Sequence, residues 1–297
     1  FENGMTPVSM TEDEPMDNRS VMVGGREGIL GEWGMELASP VYEGRITLRR
    51  AFEQSKIAAT VRLTDRIGLK RVVDKAVDFG FPFGKSELLP RLGVGFEEAS
   101  LKQAARAISA FPRGGTFPSE SLAYIDRVEN PKGQTVYRRP RQAAGEPRAV
   151  IDPATAWQVH SMMAGSLYRG SSKGVLDGLA EKPFQGAGKG GTTHDFGDCW
   201  FMGYNARVSC AVWTGFLTPG NGAIYPGAFS RDLAMPVWVA AMNAIQSPSL
   251  TSTGIHRPVG LVDVKICSVS GQRSTEYCQE LKEDLASGKA KSVSTQI

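Results

Sequence analysis

Residues Gly186–Phe216 read GAGKGGTTHDFGDCWFMGYNARVSCAVWTGF and show the clearest structural pattern of this chain. Two apolar, aromatic-rich runs, Cys199–Tyr204 and Val208–Phe216, flank the short break Asn205-Ala206-Arg207. Runs rich in Val, Phe, Trp and Tyr are favoured in strands, and an Asn-containing break between them is typical of an antiparallel hairpin. The segment therefore predicts a pair of antiparallel strands.

A glycine-rich run that holds one lysine and two threonines precedes this hairpin. Glycine within a strand marks a place where a ligand or another backbone comes close. Lys189 at such a place, followed by Thr192 and Thr193, suits an anionic or carbonyl-bearing ligand. An edge strand with flexible glycines and a solvated lysine explains the same pattern, so the run alone leaves both interpretations open.

Composition excludes several classes of protein. The 297 residues are 41% hydrophobic and 22% charged, which is enough for one large core or two smaller ones and unlike a disordered or fibrous chain. A net charge of +3 without a Lys/Arg block argues against nucleic acid as a partner. No apolar run reaches 18 residues, and no signal peptide is recognisable. Since the first residue is Phe1 and not Met, we expect the natural N-terminus to lie elsewhere.

The first half of the chain shows helical patterns around a possible functional serine. Arg45–Gln54 is expected to be helical, and Ala58–Val77 continues as helices broken at Gly68. Ser55-Lys56-Ile57 therefore falls at a junction between helices, where a side chain can point into a cleft. An ordinary helix cap by Ser55 explains its position equally well.

The order of elements predicts the fold class. Residues 1–44 are expected to be loop-like, and further helices are expected over Glu97–Ala110, from Asp152 to about Leu167, and over Ser230–Asn243. Helices followed by a hairpin, a further strand and a packing helix favour an α/β (α+β) domain. In such a domain an antiparallel sheet carries helices on both faces.

Several stretches form an ordered set along the chain. They are FENGMTP at Phe1–Pro7, GRITLRRAFEQS at Gly44–Ser55 with VRL at Val61–Leu63, GKGGTT at Gly188–Thr193 with DCWFMGY at Asp198–Tyr204 and AVW at Ala211–Trp213, and a tail containing Ile266-Cys267, Ser270-Gly271 and Cys278. This set covers most of residues 1–280 and resembles the transpeptidase domain of class A penicillin-binding proteins.

The resemblance implies a penicillin-binding, transpeptidase-like fold that is incomplete at its N-terminal side. We expect a transpeptidase-like domain over residues 1–245 and a C-terminal extension over 246–297. The implied activity is a D,D-transpeptidase that cross-links peptidoglycan stem peptides ending in D-Ala-D-Ala, with β-lactams as mimics. The resemblance also implies a periplasmic or extracytoplasmic location and no cofactor, metal or nucleic acid. Full-length members carry an N-terminal membrane anchor and a glycosyltransferase domain, and we expect neither within these residues.

The family's site uses the motifs Ser-x-x-Lys, Ser-x-Asn and Lys-Thr/Ser-Gly. No serine in this chain is followed by a lysine three residues later. The second motif matches Ser55-Lys56-Ile57, with Ile57 in place of asparagine. The third matches Lys189-Gly190-Gly191-Thr192, with Gly190 in place of the first hydroxyl residue.

Carried onto this sequence, the resemblance makes Ser55 and Lys189 the catalytic residues. Ser55 would relay a proton, and Lys189 would supply positive charge. Thr192 would contact the substrate's terminal carboxylate and give its backbone N–H to an oxyanion hole. The positions expected to bind substrate are Gly190, Gly191, Thr192, Thr193 and Ile57.

Two other interpretations of the chain stay open. One is a degenerate, non-catalytic penicillin-binding-like protein that binds peptidoglycan or a partner, which would also fit the missing nucleophile motif. The other is an unrelated globular domain whose hairpin only resembles the motif. The sequence alone therefore leaves open whether the chain is an enzyme.

Cysteine positions give a further expectation. Cys267 and Cys278 flank a polar turn, and the implied extracytoplasmic location favours a disulfide between them. Cys199 and Cys210 are not expected to pair, because a two-residue turn would place Phe201 opposite Cys210. Four buried thiols are the alternative. Four aromatic residues are expected to contribute to one core between sheet and helix: Trp200, Phe201, Trp213 and Trp238. Because alternate residues of a strand face opposite sides, we expect Trp200 and Phe201 to be buried on different faces of the sheet.

Overall fold

The computed structural model describes residues 1–16, 42–95, 97–117, 124–140, 147–193, 196–218, 222–245, 254–267, 270–276 and 295–296. The helices in these ranges are α1 (Leu48–Glu53), α2 (Ile57–Ile67), α3 (Leu69–Asp78), α4 (Leu101–Ile108), α5 (Pro153–Tyr168), α6 (Val175–Gly178) and α7 (Ala234–Ala244). The strands are β1 (Met10–Asp13), β2 (Gly44–Thr47), β3 (Thr116–Phe117), β4 (Arg127–Glu129), β5 (Thr135–Arg138), β6 (Arg148–Ala149), β7 (Ala187–Thr192), β8 (Asp198–Tyr204), β9 (Ser209–Gly215), β10 (Lys265–Ile266) and β11 (Thr295–Gln296). None of the described helices is long and apolar enough to cross a bilayer.

The main sheet is antiparallel and has the strand order β7-β8-β9. The predicted hairpin is confirmed, with β8 and β9 as its two strands. Its loop contains four residues and is organised by Asn205, whose Oδ1 accepts hydrogen bonds from the backbone N–H of Arg207 at 2.9 Å and of Val208 at 2.8 Å. Such side-chain-to-backbone bonds explain why asparagine occupies this turn.

Helices cover both faces of the sheet, as expected. On one face Phe201 of β8 packs against Trp238 of α7, with ring centroids 5.0 Å apart and both residues fully buried. On the opposite face Tyr204 belongs to a buried cluster with Ile108 of α4 and Met163 of α5. The sheet therefore forms the middle layer between α7 and the pair α4 and α5.

The expectation of one shared aromatic core is wrong for two of the four residues. Neighbouring residues of a strand point to opposite faces, so Trp200 lies on the face opposite Phe201. Trp200 pairs across the strands with Trp213, and both are partly exposed. The indole Nε1 of Trp213 donates to Asp198 Oδ1 at 2.6 Å.

The segment before Ser55 also differs from the prediction. Gly44–Thr47 is the strand β2, which pairs with β1, so residues 1–44 are not loop throughout and the helix begins only at Leu48. Thr47 ends the strand and caps α1, because its Oγ1 accepts from Arg50 N at 3.1 Å. The apolar residues in this short run fit a strand period as well as a helical one, which is why the sequence did not separate the two.

Several helix boundaries follow from local chemistry. α2 and α3 meet at Gly68, as predicted, where φ is +97°. Asp152 caps α5 by accepting from Thr155 N at 2.8 Å. The predicted starts of the helices at Glu97 and Ser230 are wrong, since α4 begins after a capping box at Ser100 and α7 begins at Ala234.

The thiols of Cys199 and Cys210 are unpaired, as expected, although the reason differs from the predicted register. Because the turn has four residues and not two, Cys210 lies opposite Gly203, and Cys199 lies opposite Thr214. Cys278 is outside the described residues, so the disulfide with Cys267 stays a prediction. The domain boundary expected near residue 245 also stays a prediction; α7 ends at Ala244.

Candidate active site

Ser55 lies in the turn between α1 and α2 with an uncommon backbone conformation. Its φ is +56°, in the left-handed region, and its N–H donates to Phe52 O at 3.1 Å. A non-glycine residue held there carries strain on the order of 1–3 kcal/mol and persists only where the surrounding structure fixes it. Backbone strain at a hydroxyl residue in a turn is a feature of functional sites.

Lys189 of β7 reaches the Ser55 hydroxyl. Its Nζ donates to Ser55 Oγ and, at 3.0 Å, to the carbonyl oxygen of Gly190. The amine also lies 5.9 Å from the centroid of the Phe52 ring. The structure thus brings together the two residues predicted to be catalytic, which are 134 positions apart in the sequence.

The main electrostatic feature of the site is the lowered pKa of Lys189, and its cause is desolvation. Burial lowers the pKa of the Lys189 ammonium to about 8. Roughly a tenth of this amine is therefore neutral at pH 7, far more than for a solvated lysine. In its charged form Lys189 donates to Ser55, and in its neutral form it can accept the hydroxyl proton instead.

The strand period divides the expected substrate-binding residues between the two faces of β7. Gly191 has the same orientation as Lys189 and is exposed. Gly190 and Thr192 are directed to the opposite face, where Thr192 Oγ1 accepts from the backbone N–H of Ser230 at 3.0 Å. A Cβ added to Gly190 would lie only 2.9 Å from Ser230 Oγ.

Thr193, the last hydroxyl residue of the glycine-rich run, bonds to the backbone at the start of β8. Thr193 Oγ1 accepts from the backbone N–H of Asp198 at 2.9 Å, and Thr193 N donates to the carbonyl oxygen of Asp198 at 2.9 Å. These bonds join the end of β7 to the start of β8. The substrate-binding roles expected for Gly190, Gly191, Thr192 and Thr193 stay predictions.

Ile57, at the position of the second motif's asparagine, starts α2 and packs with Val61 and Met16 in a small apolar cluster. The residue between it and Ser55 is Lys56, a buried lysine for which no role was predicted. Lys56 Nζ lies 3.2 Å from Asp13 Oδ2 and is itself 5% exposed in its side chain. This ion pair fastens the start of α2 to β1.

A second hydroxyl, which was not predicted from the sequence, lies at the site. Ser171 Oγ lies 3.2 Å from Ser55 Oγ, and Ser171 is exposed. Ser171 follows α5 and is 116 residues from Ser55. No local pattern marks it, because a serine after a glycine in a loop is common.

His160 and Tyr204 are two further titratable residues, and they contact each other in the core. His160 Nδ1 lies 3.1 Å from the hydroxyl oxygen of Tyr204, and burial lowers the pKa of His160 to about 4, so the ring is neutral near pH 7. Within the described part of the chain, no group of three or more His, Cys, Asp and Glu side chains is placed to hold a metal ion.

Comparison with known proteins identifies the family. Residues 11–221 match the model of the penicillin binding protein transpeptidase domain. The chain belongs to this family, and its resemblance to class A penicillin-binding proteins is confirmed. Penicillin-binding protein 1A of Neisseria lactamica is 30% identical over 261 residues, which is 87% of this chain and 31% of that protein. Penicillin-binding protein 1A of Pseudomonas aeruginosa is 26% identical over 92% of this chain and 37% of its own length.

Solved structures show the same fold. Penicillin-Binding Protein 1A from Haemophilus influenzae has a TM-score of 0.78 at 19% identity and covers 93% of this chain and 44% of that chain. The PonA1 protein from Mycobacterium tuberculosis, in complex with penicillin V, has a TM-score of 0.61 at 19% identity and covers 86% of this chain and 67% of that chain. The chain spans only about a third of the length of the curated relatives that it matches.

Proposed function

We propose that this chain provides the Ser55 and Lys189 side of a D,D-transpeptidase site that cross-links peptidoglycan stem peptides ending in D-Ala-D-Ala. The observation that carries the proposal is the hydrogen bond between the desolvated amine of Lys189 and the hydroxyl of Ser55, a residue with a strained backbone. The proposal places the site on the extracytoplasmic face of the membrane, where peptidoglycan lies. β-Lactams enter it as mimics of the substrate, as penicillin V binds PonA1.

Lys189 and Ser55 supply charge and a path for a proton. Near neutral pH the Lys189 amine exchanges between its charged and neutral forms, because burial holds its pKa at about 8. The charged form attracts the terminal carboxylate of the stem peptide. Ser55 carries a proton between this amine and the group that leaves the substrate.

The edge position of β7 supports an extended peptide as the ligand. Among the described strands, β7 pairs only with β8. An extended peptide can add to such an edge through main-chain hydrogen bonds, with its alternate side chains directed to the two faces. Gly191 leaves the surface beside Lys189 open for this approach, since a Cβ there would meet only Trp200 Cβ, at 3.8 Å.

Two motif positions weaken substrate binding in this proposal. Gly190 provides no hydroxyl for the carboxylate, and Ile57 provides no amide for the substrate backbone. A lost hydrogen bond to the carboxylate weakens binding by roughly 1.5–3 kcal/mol, and a lost hydrogen bond to the neutral backbone by roughly 0.5–1.5 kcal/mol. Ser55 takes the part of the proton relay, so acylation needs a nucleophile other than Ser55. We therefore expect this chain by itself to bind stem peptides weakly and not to be acylated by penicillin.

The test has two parts. In the first, the chain is incubated with a fluorescent penicillin, denatured and examined for covalent label, and we expect none. Stoichiometric label on Ser55 would overturn its role as a relay. In the second, binding of diacetyl-Lys-D-Ala-D-Ala is followed by NMR in the chain and in Lys189→Ala. We expect binding that Lys189→Ala abolishes and that Lys132→Ala, a change at an exposed hairpin lysine, leaves intact. A chain that does not bind this peptide would contradict the proposed function.

A further inference from the structure

We propose that Ser171 is a positioning residue for Ser55, held against it by the bonds that Glu53 makes with Arg49, Arg169 and the Ser171 main chain, here called the Glu53 clasp. This role rests on the proposed function of the Ser55–Lys189 pair. Ser171 Oγ lies 3.2 Å from Ser55 Oγ, the same atom that accepts from Lys189 Nζ. Lys189, Ser55 and Ser171 therefore form a continuous chain of hydrogen-bonding groups that ends at an exposed residue.

The clasp joins the end of α1 to the segment after α5. Arg169 binds the Glu53 carboxylate with two bonds, Nε to Oε2 at 2.8 Å and Nη2 to Oε1 at 2.5 Å. Arg49 adds a third bond to Oε1 at 3.2 Å, and the side chains of Arg49 and Glu53 are each only 4% exposed. The main chain completes the clasp, because Ser171 N donates to Glu53 O at 2.8 Å.

Two glycines make this close approach possible. A Cβ on Gly165 would lie 2.0 Å from Glu53 Oε1, and a Cβ on Gly170 would lie 2.2 Å from Glu53 O. A side chain at position 170 would collide with backbone atoms, and a side chain at position 165 would push the Glu53 carboxylate out of its place beside Arg169. Glycine at positions 165 and 170 therefore allows α1 to pack closely against α5 and the segment that follows it.

The clasp explains how Ser55 keeps its strained backbone. Glu53 is fixed two residues before Ser55, and Lys56 is fixed immediately after it by the ion pair with Asp13. Gln54, between Glu53 and Ser55, donates its Nε2 to the carbonyl oxygen of Arg169 at 2.9 Å. A left-handed serine persists where the structure fixes it from both sides.

The chemistry gives Ser171 a use in both charge states of Lys189. When Lys189 is charged it donates to Ser55, and Ser55 then directs its own proton to Ser171. When Lys189 is neutral the direction reverses, so that Ser171 donates to Ser55 and Ser55 donates to the amine. Ser171 thus keeps the Ser55 hydroxyl in line with the amine in both states.

The test follows the titration of Lys189 by NMR of its side-chain carbon and nitrogen atoms, with assignment from Lys189→Arg. The charged side chains on the neighbouring segments are Arg49, Arg50, Glu53, Lys56 and Arg169, which are held in ion pairs, and Lys173, which is exposed. Removal of the Ser171 hydroxyl takes the acceptor away from the charged form. In the charged form the ammonium polarises the Ser55 hydroxyl and strengthens its bond to Ser171, so loss of that acceptor costs the charged form more than the neutral form.

In Ser171→Ala we therefore expect the midpoint for Lys189 to fall by about 0.5 pH unit, a threefold change in acidity. Ser171→Thr keeps a hydroxyl and should restore the wild-type midpoint, and Ser86→Ala serves as a matched control elsewhere in the chain. An unchanged midpoint in Ser171→Ala would overturn the proposal, as would a midpoint in Ser171→Thr equal to that of Ser171→Ala. No peptide or penicillin is present in this titration, so its outcome is independent of the binding test of the proposed function.

Discussion

Replacing Gly190 by threonine restores the family's third motif, yet we expect this single change to destabilise the protein. The reason is Ser230, whose Oγ would lie 2.9 Å and whose Cβ would lie 3.4 Å from the new Cβ of residue 190. Ser230 cannot turn away without loss, because its Oγ donates to Trp200 O at 2.6 Å and the residue is 7% exposed. The space between residue 190 and Ser230 is therefore too small for a threonine side chain.

The magnitude follows from two opposing effects. Overpacking of a filled site costs about 1–3 kcal/mol. Removing a glycine from a strand recovers about 0.5–1 kcal/mol. The midpoints of these two ranges differ by about 1 kcal/mol, so we expect Gly190→Thr to lower the free energy of unfolding by about this amount.

Urea denaturation measures this loss, with Gly191→Thr as the matched control. A Cβ on Gly191 meets only Trp200 Cβ, at 3.8 Å, so the same substitution one residue later should be neutral or slightly stabilising. Ser230→Gly removes the obstructing atoms, and the double variant should show a favourable coupling of about 1 kcal/mol or more. If Gly190→Thr loses no more stability than Gly191→Thr, or if the coupling is absent, the steric argument is refuted.

Three further predictions concern packing, a helix cap and a disulfide. Trp238→Ala should lower the free energy of unfolding by about 3–5 kcal/mol in urea denaturation, because the ring is fully buried; a loss under about 1 kcal/mol would contradict its place in the core. Asp152→Ala should cost about 1 kcal/mol at pH 7. The hydrogen bond from Thr155 is the main cause that lowers the pKa of Asp152, so this difference should be present at neutral pH and vanish as pH falls through the folded pKa; a cost that persists in acid would contradict it. Cys267 and Cys278 should be absent from a thiol count under denaturing, non-reducing conditions, and four free thiols would rule the disulfide out.

The sequence predicted those elements whose signals are local. The hairpin of β8 and β9, the break between α2 and α3 at Gly68 and the cap of α5 at Asp152 each depend on a few adjacent residues. Boundaries failed where a short run fits two periods, as in the strand Gly44–Thr47, which had been expected to be helical. The turn length after Tyr204 was also missed, because the four-residue loop depends on hydrogen bonds of Asn205 that composition does not reveal.

Of the residues predicted for the site, Ser55 and Lys189 are the pair that the structure brings into contact, whereas the residues that support this pair were not predicted. Ser55 and Lys189 were found because the resemblance supplied their motifs. Glu53 and Ser171 were not, since nothing near Glu53 in the sequence indicates that its partner Arg169 lies 116 residues away. Interactions of this kind are set by tertiary packing, and a single sequence does not record which distant residues meet.

The contacts around Ser55 also bear on how the chain folds. Lys189 meets Ser55 across 134 residues, Arg169 meets Glu53 across 116, and Ser161 meets Arg49 across 112. Closing a loop of this length costs on the order of 4 kcal/mol of chain entropy. Once the first of these contacts has formed, the other two close only short additional loops and cost much less. The intervening helices α2 to α5 form through near neighbours, which are fast to find, whereas distant pairings are slow. During refolding the helical circular dichroism should therefore rise first, and the surroundings of Lys189 should reach their native state later and in a single step.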